Sequence, residues 1–271
     1  MASDQRNKWF ANRGHIIQVV IATVTLITGK IAWPDMKKND LLSVGSFVFY
    51  LLLAGVAGVA LWIGRVVRLD QRFLRFGVTN FYANRKQVPN DHWVTWLKQA
   101  KRRCILLGQA HGEWCYDPGF RPALVDRLTN RVQIEMFFLK PEGLAARLRQ
   151  TEDSIGQRNT KQRIQRSLRE VWRIRSSLEP SVRGYLKLYV YDATPSLGVT
   201  WIDDVMLVTH YLASRTNLTS PALVVEPRPG SDTLYAVYEQ NVDGIRASFS
   251  EEVTNDNIET FAPEGTDGQT A

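Results

Sequence analysis

Two histidines come where strand-forming segments end, and they are the side chains of this sequence best suited to nucleophilic or acid–base chemistry. His111 follows the apolar segment Cys104–Leu107, and His210 follows the apolar segment Val205–Val208. Open α/β sheets bind ligands at the carboxyl ends of their strands, so both histidines are expected at that edge. One could attack as a nucleophile while the other acts as an acid. A histidine that ends a strand also serves as a structural hydrogen-bonding group, and both interpretations stay open.

A polar group directly after His210 is suited to binding an anion. It combines a hydroxyl, a guanidinium and an amide within four positions, at Ser214, Arg215 and Asn217. Arg175 falls inside the apolar stripe of its predicted helix, which indicates either a buried ion pair or a contact with a ligand. The candidate ligand-binding residues are therefore His111, Arg175, His210, Ser214, Arg215 and Asn217.

The segment Lys161–Leu178 predicts a long helix whose apolar side chains form one stripe facing the core. Cations lie mostly outside that stripe: Arg158, Lys161, Arg163, Arg166, Arg169 and Arg173. They form either a solvated face near an acidic membrane or a surface that attracts a phosphate-bearing partner. A nucleotide, a nucleic acid or an anionic lipid headgroup would fit the second interpretation.

The elements that must position these residues alternate between helix and strand, and hairpins follow later in the chain. Further strands are predicted at Val132–Leu139, Tyr185–Tyr191, Val199–Ile202 and Ala222–Val225, and further helices at 92–102, Pro122–Thr129, Gly143–Thr151 and Thr233–Phe249. This order predicts an α/β domain whose mixed β-sheet is sandwiched by helices.

The assembled order resembles one half of a phospholipase D-like fold over residues 72–250. The resemblance rests on four stretches: RCILLGQAHGEW, VQIEMFFLKPEG, the Arg-rich helix before YLKLYVYDATP, and LGVTWIDDVMLVTHYLASRTNLTSPALVVE. Members of that superfamily carry a His-x-Lys-x4-Asp motif and a Gly-Ser-x-Asn-like turn, and two such motifs meet across a pseudo-dyad. The resemblance therefore implies that a single half forms a homodimer or a higher oligomer.

The catalytic motif is not found in this sequence. If Asp203 is the motif's Asp, Ser196 stands where the nucleophilic His belongs and Gly198 where the Lys belongs. If Asp204 is chosen instead, the corresponding residues are Leu197 and Val199. Neither choice can form a phosphohistidine, and the stretch Thr209-His210-Tyr211-Leu212 replaces the Gly-Ser-x-Asn-like turn. The resemblance thus implies the fold and no catalytic residues.

Two apolar segments near the start of the chain predict a membrane hairpin, with helices at about 15–33 and 41–64. The second segment has no charge in the 24 positions 41–64, and about 20 apolar residues suffice to cross the hydrocarbon layer. Seven basic residues flank the hairpin's open end and two lie in its turn, so the positive-inside rule predicts that both termini are cytoplasmic. The predicted location is the inner, cytoplasmic membrane, with the lipid bilayer as a partner.

Composition sets the remaining limits. The 271 residues carry a net charge of +7, yet residues 251–271 hold six acids and no Lys or Arg, so positions 1–250 carry +13. Two Cys and four scattered His lack the spacing of a zinc site, and no cofactor is predicted. The predicted organisation is a cytosolic segment (1–14), the hairpin (15–67), a juxtamembrane neck (68–90), the α/β domain (91–250) and a disordered acidic tail (251–271).

Three functions fit these observations. The first is a membrane-tethered, non-catalytic sensor or effector whose degenerate phosphodiesterase-like domain binds a phosphorylated ligand, which resembles the architecture of membrane effectors in bacterial antiviral signalling. The second is an active phosphodiesterase, a phospholipase or nuclease, using His111 or His210. The third is a scaffold that the basic helix holds on the bilayer.

Overall fold

The computed structural model describes residues 51, 54–65, 73–89, 92–152, 159–212, 219–229 and 233–264. The chain divides into two compact units, Met1–Phe73 and Leu74–Ala271. In the first unit, residues 54–65 are helical. Among the described residues no helix is both long and apolar enough to cross a membrane. The predicted spans lie mostly outside the described residues and stay predictions.

The second unit is built on a mixed sheet of eight strands. Their bounds are β1 (Val78–Tyr82), β2 (Arg103–Leu107), β3 (Gln133–Leu139), β4 (Leu186–Tyr191), β5 (Leu197–Ile202), β6 (Val205–His210), β7 (Ala222–Val225) and β8 (Ser250–Glu252). Their order in the sheet is β1-β7-β6-β5-β2-β3-β4-β8. The pairs β2–β3 and β3–β4 are parallel, and every other neighbouring pair is antiparallel.

This pairing makes five strands run in one direction. Because β1 and β6 are each reached from β2 through an even number of antiparallel pairs, β1, β2, β3, β4 and β6 all point the same way. We call the edge where these five strands end the carboxyl edge and the edge where they begin the amino edge. The segments that follow these five strands therefore gather at the carboxyl edge.

Six strands lie inside the sheet, and all six were predicted. Their residues are largely buried, so they read as short apolar runs in the sequence. The two edge strands, β1 and β8, were not predicted. β1 lies in the segment predicted to be a neck, and β8 lies in the segment predicted to be a disordered tail, so both domain boundaries were placed too far inside the chain.

Eight helices are described in this unit: α1 (His92–Gln99), α2 (Gly112–Cys115), α3 (Phe120–Thr129), α4 (Leu144–Glu152), α5 (Thr160–Ser177), α6 (Pro180–Arg183), α7 (Leu234–Ser248) and α8 (Ile258–Phe261). The five longer helices were predicted, with ends displaced by up to three residues. The three four-residue helices α2, α6 and α8 were not predicted, because a single turn carries no helical periodicity.

Helices cover both faces of the sheet, as predicted. On one face, Arg246 of α7 binds Glu135 of β3 at 2.9 Å. On the other face, Trp93 of α1 packs against a hydrophobic cluster that includes Leu207 and Val224. The strand register pairs Leu207 with Thr200 and Thr200 with Leu106, so these three side chains lie on one face. Glu135 pairs with Ile105, which is next to Leu106 in β2 and therefore lies on the other face. Side chains alternate between faces along a strand, so α7 and α1 lie on opposite sides.

The predicted disordered tail is wrong for residues up to Glu264. After β8 the chain buries Val253, Ile258, Phe261 and Ala262 in the main core. These apolar residues are too few and too irregularly spaced to be recognised among the acids. The domain thus begins at Leu74 and extends at least to Glu264.

Three acidic residues, one of them in this C-terminal segment, pair with cations of the basic helix α5. Glu259 pairs with Arg169 of α5 at 2.8 Å, and the Arg169 side chain is only 4% exposed. Lys161 pairs with Glu142, and Arg173 lies 3.9 Å from Glu170. The predicted solvated face is therefore wrong for Arg169, whose side chain is buried, while Arg163 and Arg173 are exposed and Arg158 lies outside the described residues.

Candidate functional site

A cluster of polar side chains surrounds Tyr211 at the carboxyl edge of the sheet, and we call it the Tyr211 cluster. Each member lies at the end of one of the five strands that point toward this edge, in the segment after such a strand, or on a helix that begins at this edge. Its residues are Arg85 after β1, Gln109, His111 and Glu113 after β2, Arg149 and Glu152 on α4, Tyr191 at the end of β4, and Tyr211 after β6.

The hydroxyl of Tyr211 lies against two glycines, and this contact fixes its place. A Cβ built on Gly108 would stand 3.4 Å from the hydroxyl oxygen, and one built on Gly198 would stand 2.8 Å from it. The backbone N–H of Gln109 also donates to the hydroxyl. Burial raises the pKa of Tyr211, although Arg85, the Gln109 N–H and Arg149 act in the opposite direction. The phenol is therefore neutral at physiological pH.

Two buried arginines approach Tyr211, and each is matched by a carboxylate that reaches the surface. Arg85 is 8% exposed and binds Glu113 through two hydrogen-bonding contacts of 2.9 and 2.5 Å, while its guanidinium lies 4.7 Å from the Trp93 ring centroid. Arg149 has a side chain only 4% exposed; it donates to Glu152 at 2.7 Å and lies 5.4 Å over the Tyr211 ring. Glu113 and Glu152 are 37% and 46% exposed. The guanidinium groups are thus desolvated, and solvent reaches the carboxylates.

Three buried polar atoms in this region have no hydrogen-bond partner among the described residues. They are Nε of Arg85, Nε2 of Gln109 and the hydroxyl oxygen of Tyr191. A buried polar group without a partner costs about 1–3 kcal/mol. Arginine Nε and amide nitrogen can only donate, so the cluster is complementary to a group rich in acceptor oxygens.

His111 belongs to this cluster in a structural role. Its Nε2 lies 2.9 Å from the carbonyl oxygen of Phe137, and its ring meets Phe138 edge-on at 4.9 Å. Burial lowers the pKa of His111 to about 4, with the Phe137 carbonyl opposing and Arg85 reinforcing the shift. The imidazole is therefore neutral near pH 7, and Nε2 carries the proton because a carbonyl oxygen can only accept.

His210 lies on the other face of the sheet. Its Nε2 stands 3.4 Å from the hydroxyl of Tyr238, which belongs to α7. Phe137 lies under Arg246 of α7, so the next residue of the strand, Phe138, points to the opposite face. His111 contacts Phe138 and therefore lies on the face opposite α7. Burial lowers the pKa of His210 as well. The two histidines share the carboxyl edge as predicted, but the sheet separates them, so the geometry does not form a nucleophile–acid pair.

The remaining predicted residues do not join the cluster in the described part of the chain. Nε of Arg175 donates to the carbonyl of Leu186, the first residue of β4, at 3.1 Å, and the guanidinium lies over Trp172 at 5.0 Å. Arg175 is thus at the amino edge, and burial lowers its pKa. Ser214, Arg215 and Asn217 lie outside the described residues, so their role stays a prediction.

The residues aligned with the phospholipase D motif have other roles. Ser196 is exposed, and its carbonyl oxygen accepts the Tyr211 N–H at 2.9 Å. Asp203 stands in the β5–β6 turn with a φ of 50°, and its carboxylate accepts the backbone N–H groups of Lys101, Arg102 and Arg103 at 2.8–3.1 Å. Burial alone would raise the pKa of Asp203, but these three N–H groups lower it. Asp203 therefore ties the hairpin to the start of β2.

The arginines and tyrosines of the cluster were not predicted as site residues. Arg85 lay in the segment predicted to be a neck, and Arg149 was one of many arginines on predicted helices. Tyr211 carried no sequence signal either, because its hydroxyl lies beside Gly198 only in the folded chain, 2.8 Å from a Cβ built on that glycine.

Three of the solved structures that this chain resembles are distant from it in sequence. The archaeal chromatin protein TrmBL2, described as showing a novel mode of DNA binding, is 11% identical and has a TM-score of 0.39. The match covers 78% of this chain and 69% of the TrmBL2 chain. The phosphatidylserine synthase of Haemophilus influenzae Rd KW20 is 14% identical with a TM-score of 0.41, covering 59% of this chain and 36% of its own. The phospholipase D family member Nuc of Salmonella typhimurium is 10% identical with a TM-score of 0.33, covering 60% and 88%.

Two further comparisons concern the sequence itself. Among curated proteins no match is found. A family model described as "Domain of unknown function (DUF5919)" matches residues 85–260, which include Arg85 and the C-terminal segment through α8. Since that match spans most of the chain and nearly all of the α/β domain, the protein belongs to the DUF5919 family.

Proposed function

We propose that the domain binds a phosphate-bearing ligand at the Tyr211 cluster and does so without hydrolysing it, as part of a membrane-tethered protein. The observation that carries the proposal is the pair of buried arginines, Arg85 and Arg149, held beside one neutral phenol. Guanidinium groups bind phosphate oxygens through charge-assisted hydrogen bonds. A phosphate can displace Glu113 and Glu152, because both carboxylates already reach solvent.

The donors around the arginines support the same ligand class. The Nε atom of Arg85 and the Nε2 atom of Gln109 have no partner among the described residues, and a phosphate offers acceptor oxygens to each. Because these donors are already buried, binding would add hydrogen bonds without a further cost of desolvating them.

We propose that the ligand is not hydrolysed because other residues stand at the positions of the catalytic His and Lys of the His-x-Lys-x4-Asp motif. Gly198 replaces the motif's Lys, and the Tyr211 hydroxyl fills the space next to it. Ser196 replaces the His. His111, the imidazole nearest the arginines, already directs its Nε2 to a backbone carbonyl. No described side chain in the cluster is thus placed as an activated nucleophile.

The test is ligand-induced stabilisation of the full-length protein in detergent. Inorganic phosphate, a mononucleotide, a short DNA oligonucleotide and glycerophosphate would be titrated while thermal unfolding is recorded. We expect at least one of them to raise the Tm in the parent protein, and Arg85→Gln or Arg149→Gln to weaken its affinity by about 10- to 100-fold, since a hydrogen bond to a charged group contributes about 1.5–3 kcal/mol.

The matched control is Arg163→Gln, which removes an exposed arginine on α5 and should leave affinity unchanged. The proposal fails if no probe stabilises the parent, or if Arg163→Gln weakens binding while the two cluster variants do not. Turnover of a phosphodiester substrate that is lost in His111→Ala or His210→Ala would instead establish the enzyme interpretation.

A further inference from the structure

The amino edge of the sheet differs from the carboxyl edge in what it exposes. The chain enters the domain there, and Leu74, Arg75 and Phe76 are all exposed just before β1, with Leu74 at 43% and Phe76 at 49%. Arg228, which follows β7, lies beside them, because a Cβ on Gly77 would be 3.8 Å from its Cγ. Apolar and cationic side chains thus occur together where the chain enters.

Other cations lie along the same edge. Lys101 precedes β2 and Arg131 precedes β3, and both are exposed. Among the ion pairs of the described residues, none involves Arg75, Lys101, Arg131 or Arg228. The two aspartates of this edge are occupied: Asp203 accepts backbone N–H groups, and Asp204 pairs with Arg102. Among the described residues the amino edge therefore carries four cations outside these ion pairs, with Glu226 as the acid between β7 and Arg228.

The position of this surface in the chain limits what it can meet. The uncharged segment 41–64 ends ten residues before Leu74, and an extended chain covers at most about 3.5 Å per residue. If that segment lies in the bilayer, the amino edge is held within roughly 35 Å of the headgroups. Exposed Leu and Phe next to Arg and Lys are the composition that binds an anionic lipid surface.

We propose that the amino edge is the face of the domain that lies on the anionic bilayer, through Leu74, Phe76 and the cations Arg75, Lys101, Arg131 and Arg228. The proposal rests on the membrane tether of the proposed function. Its consequence is an orientation: the Tyr211 cluster, at the opposite ends of the same strands, opens toward water. The ligand of that cluster is then a water-soluble phosphate compound and not a headgroup of the same membrane.

Quenching of site-attached fluorophores by spin-labelled lipid headgroups tests this orientation in the full-length protein in lipid nanodiscs. One probe is placed at Gln133→Cys, exposed at the start of β3, and a matched probe at Thr194→Cys, exposed between β4 and β5 at the carboxyl edge. Labelling favours the introduced thiols, because burial raises the pKa of both native ones, that of Cys115 to about 12. The unsubstituted protein measures any residual labelling.

With anionic lipid we expect at least about twofold stronger quenching at position 133 than at position 194, because a strand separates the two edges by about 17 Å. The difference should shrink in purely zwitterionic nanodiscs and in high salt. The triple variant Arg75→Glu, Lys101→Glu and Arg228→Glu should lose this difference in quenching. The control triple variant Arg121→Glu, Arg147→Glu and Arg163→Glu, which has the same change in charge, should keep the difference.

Equal quenching at both positions, or stronger quenching at position 194, overturns the orientation. Failure of the protein to remain with the nanodiscs overturns it too, because the tether is then absent. Neither result tests phosphate binding by the Tyr211 cluster, which the thermal titrations measure separately. Loss of phosphate binding with the quenching pattern intact would remove the ligand proposal and leave the orientation standing.

Discussion

The two edges of one sheet place charged residues in opposite environments. At the amino edge, Lys101 and Arg131 extend into solvent. At the carboxyl edge, Arg85 and Arg149 are buried against aromatic rings, and burial shifts the pKa of both His111 and Tyr211. The same residue type thus acts as a diffuse surface charge at one edge and as a desolvated, directional hydrogen-bond donor at the other. Only the second arrangement fixes the directions in which its guanidinium groups donate hydrogen bonds.

The largest difference between the edges should appear as a pH dependence of stability that arises at His111. Its pKa is about 4 in the folded protein, below the ordinary value of 6.5. Between these values the unfolded chain binds a proton that the folded chain does not, so stability is full above pH 6.5 and falls as the pH drops toward 4. The loss should be on the order of 3 kcal/mol.

Thermal unfolding of the full-length protein at pH 7.5 and 5.0 measures the first part of this loss, about 2 kcal/mol, because pH 5.0 still lies above the folded-state pKa. His111→Asn is the matched variant, because Asn tolerates the left-handed backbone (φ of 51°) at this position. It should lose much of the pH dependence, and the part due to His210 should remain. An unchanged slope in the variant would mean that His111 is not the buried neutral group described here.

A smaller effect should follow from adding one methyl group to the carboxyl edge. Gly198→Ala puts a Cβ 2.8 Å from the Tyr211 hydroxyl and should lower the free energy of unfolding by about 1–3 kcal/mol. Adding Tyr211→Phe removes the oxygen and should recover part of that loss. Gly184→Ala is the control, because nothing lies within 4 Å of its Cβ. Equal costs for both alanines would show that the carboxyl edge is not closely packed.

The smallest effect is expected at the amino edge. Lys101→Ser and Arg228→Ser should each change the free energy of unfolding by less than about 0.5 kcal/mol, since exposed side chains outside the packed core contribute little. The same thermal unfolding measurement checks this. A cost comparable to that of Gly198→Ala would show that this edge is packed and would remove the contrast between the two edges.

The parts of the fold that could be predicted from the sequence are those that are buried on both faces. Strands such as Gln133–Leu139 are short apolar runs because helices cover both sides of them. The edge strands gave no such signal. Val78–Tyr82 has two exposed residues, and Ser250–Glu252 is polar throughout, because an edge strand is held by its backbone pairing and not by a buried side-chain pattern.

The candidate site was predicted only in its location. The order of strands and loops puts His111 and His210 at the carboxyl edge, since each follows a strand. It does not reveal which face each side chain occupies, and here the faces are opposite. Arg175 shows the same limit: its place in the apolar stripe indicated burial, but not that its partner is the backbone carbonyl of Leu186.

The sequence by itself determined that this is an α/β domain with buried central strands, that an uncharged segment precedes it, and that the chain contains no His-x-Lys-x4-Asp motif. The tertiary structure decided which charges meet. Glu259, in a segment that looked like a free acidic tail, binds the buried Arg169, and Arg85 joins Arg149 beside Tyr211 across 64 positions of sequence. Such partners depend on strand order and on which groups lose water, and neither is encoded in the spacing of residues along the chain.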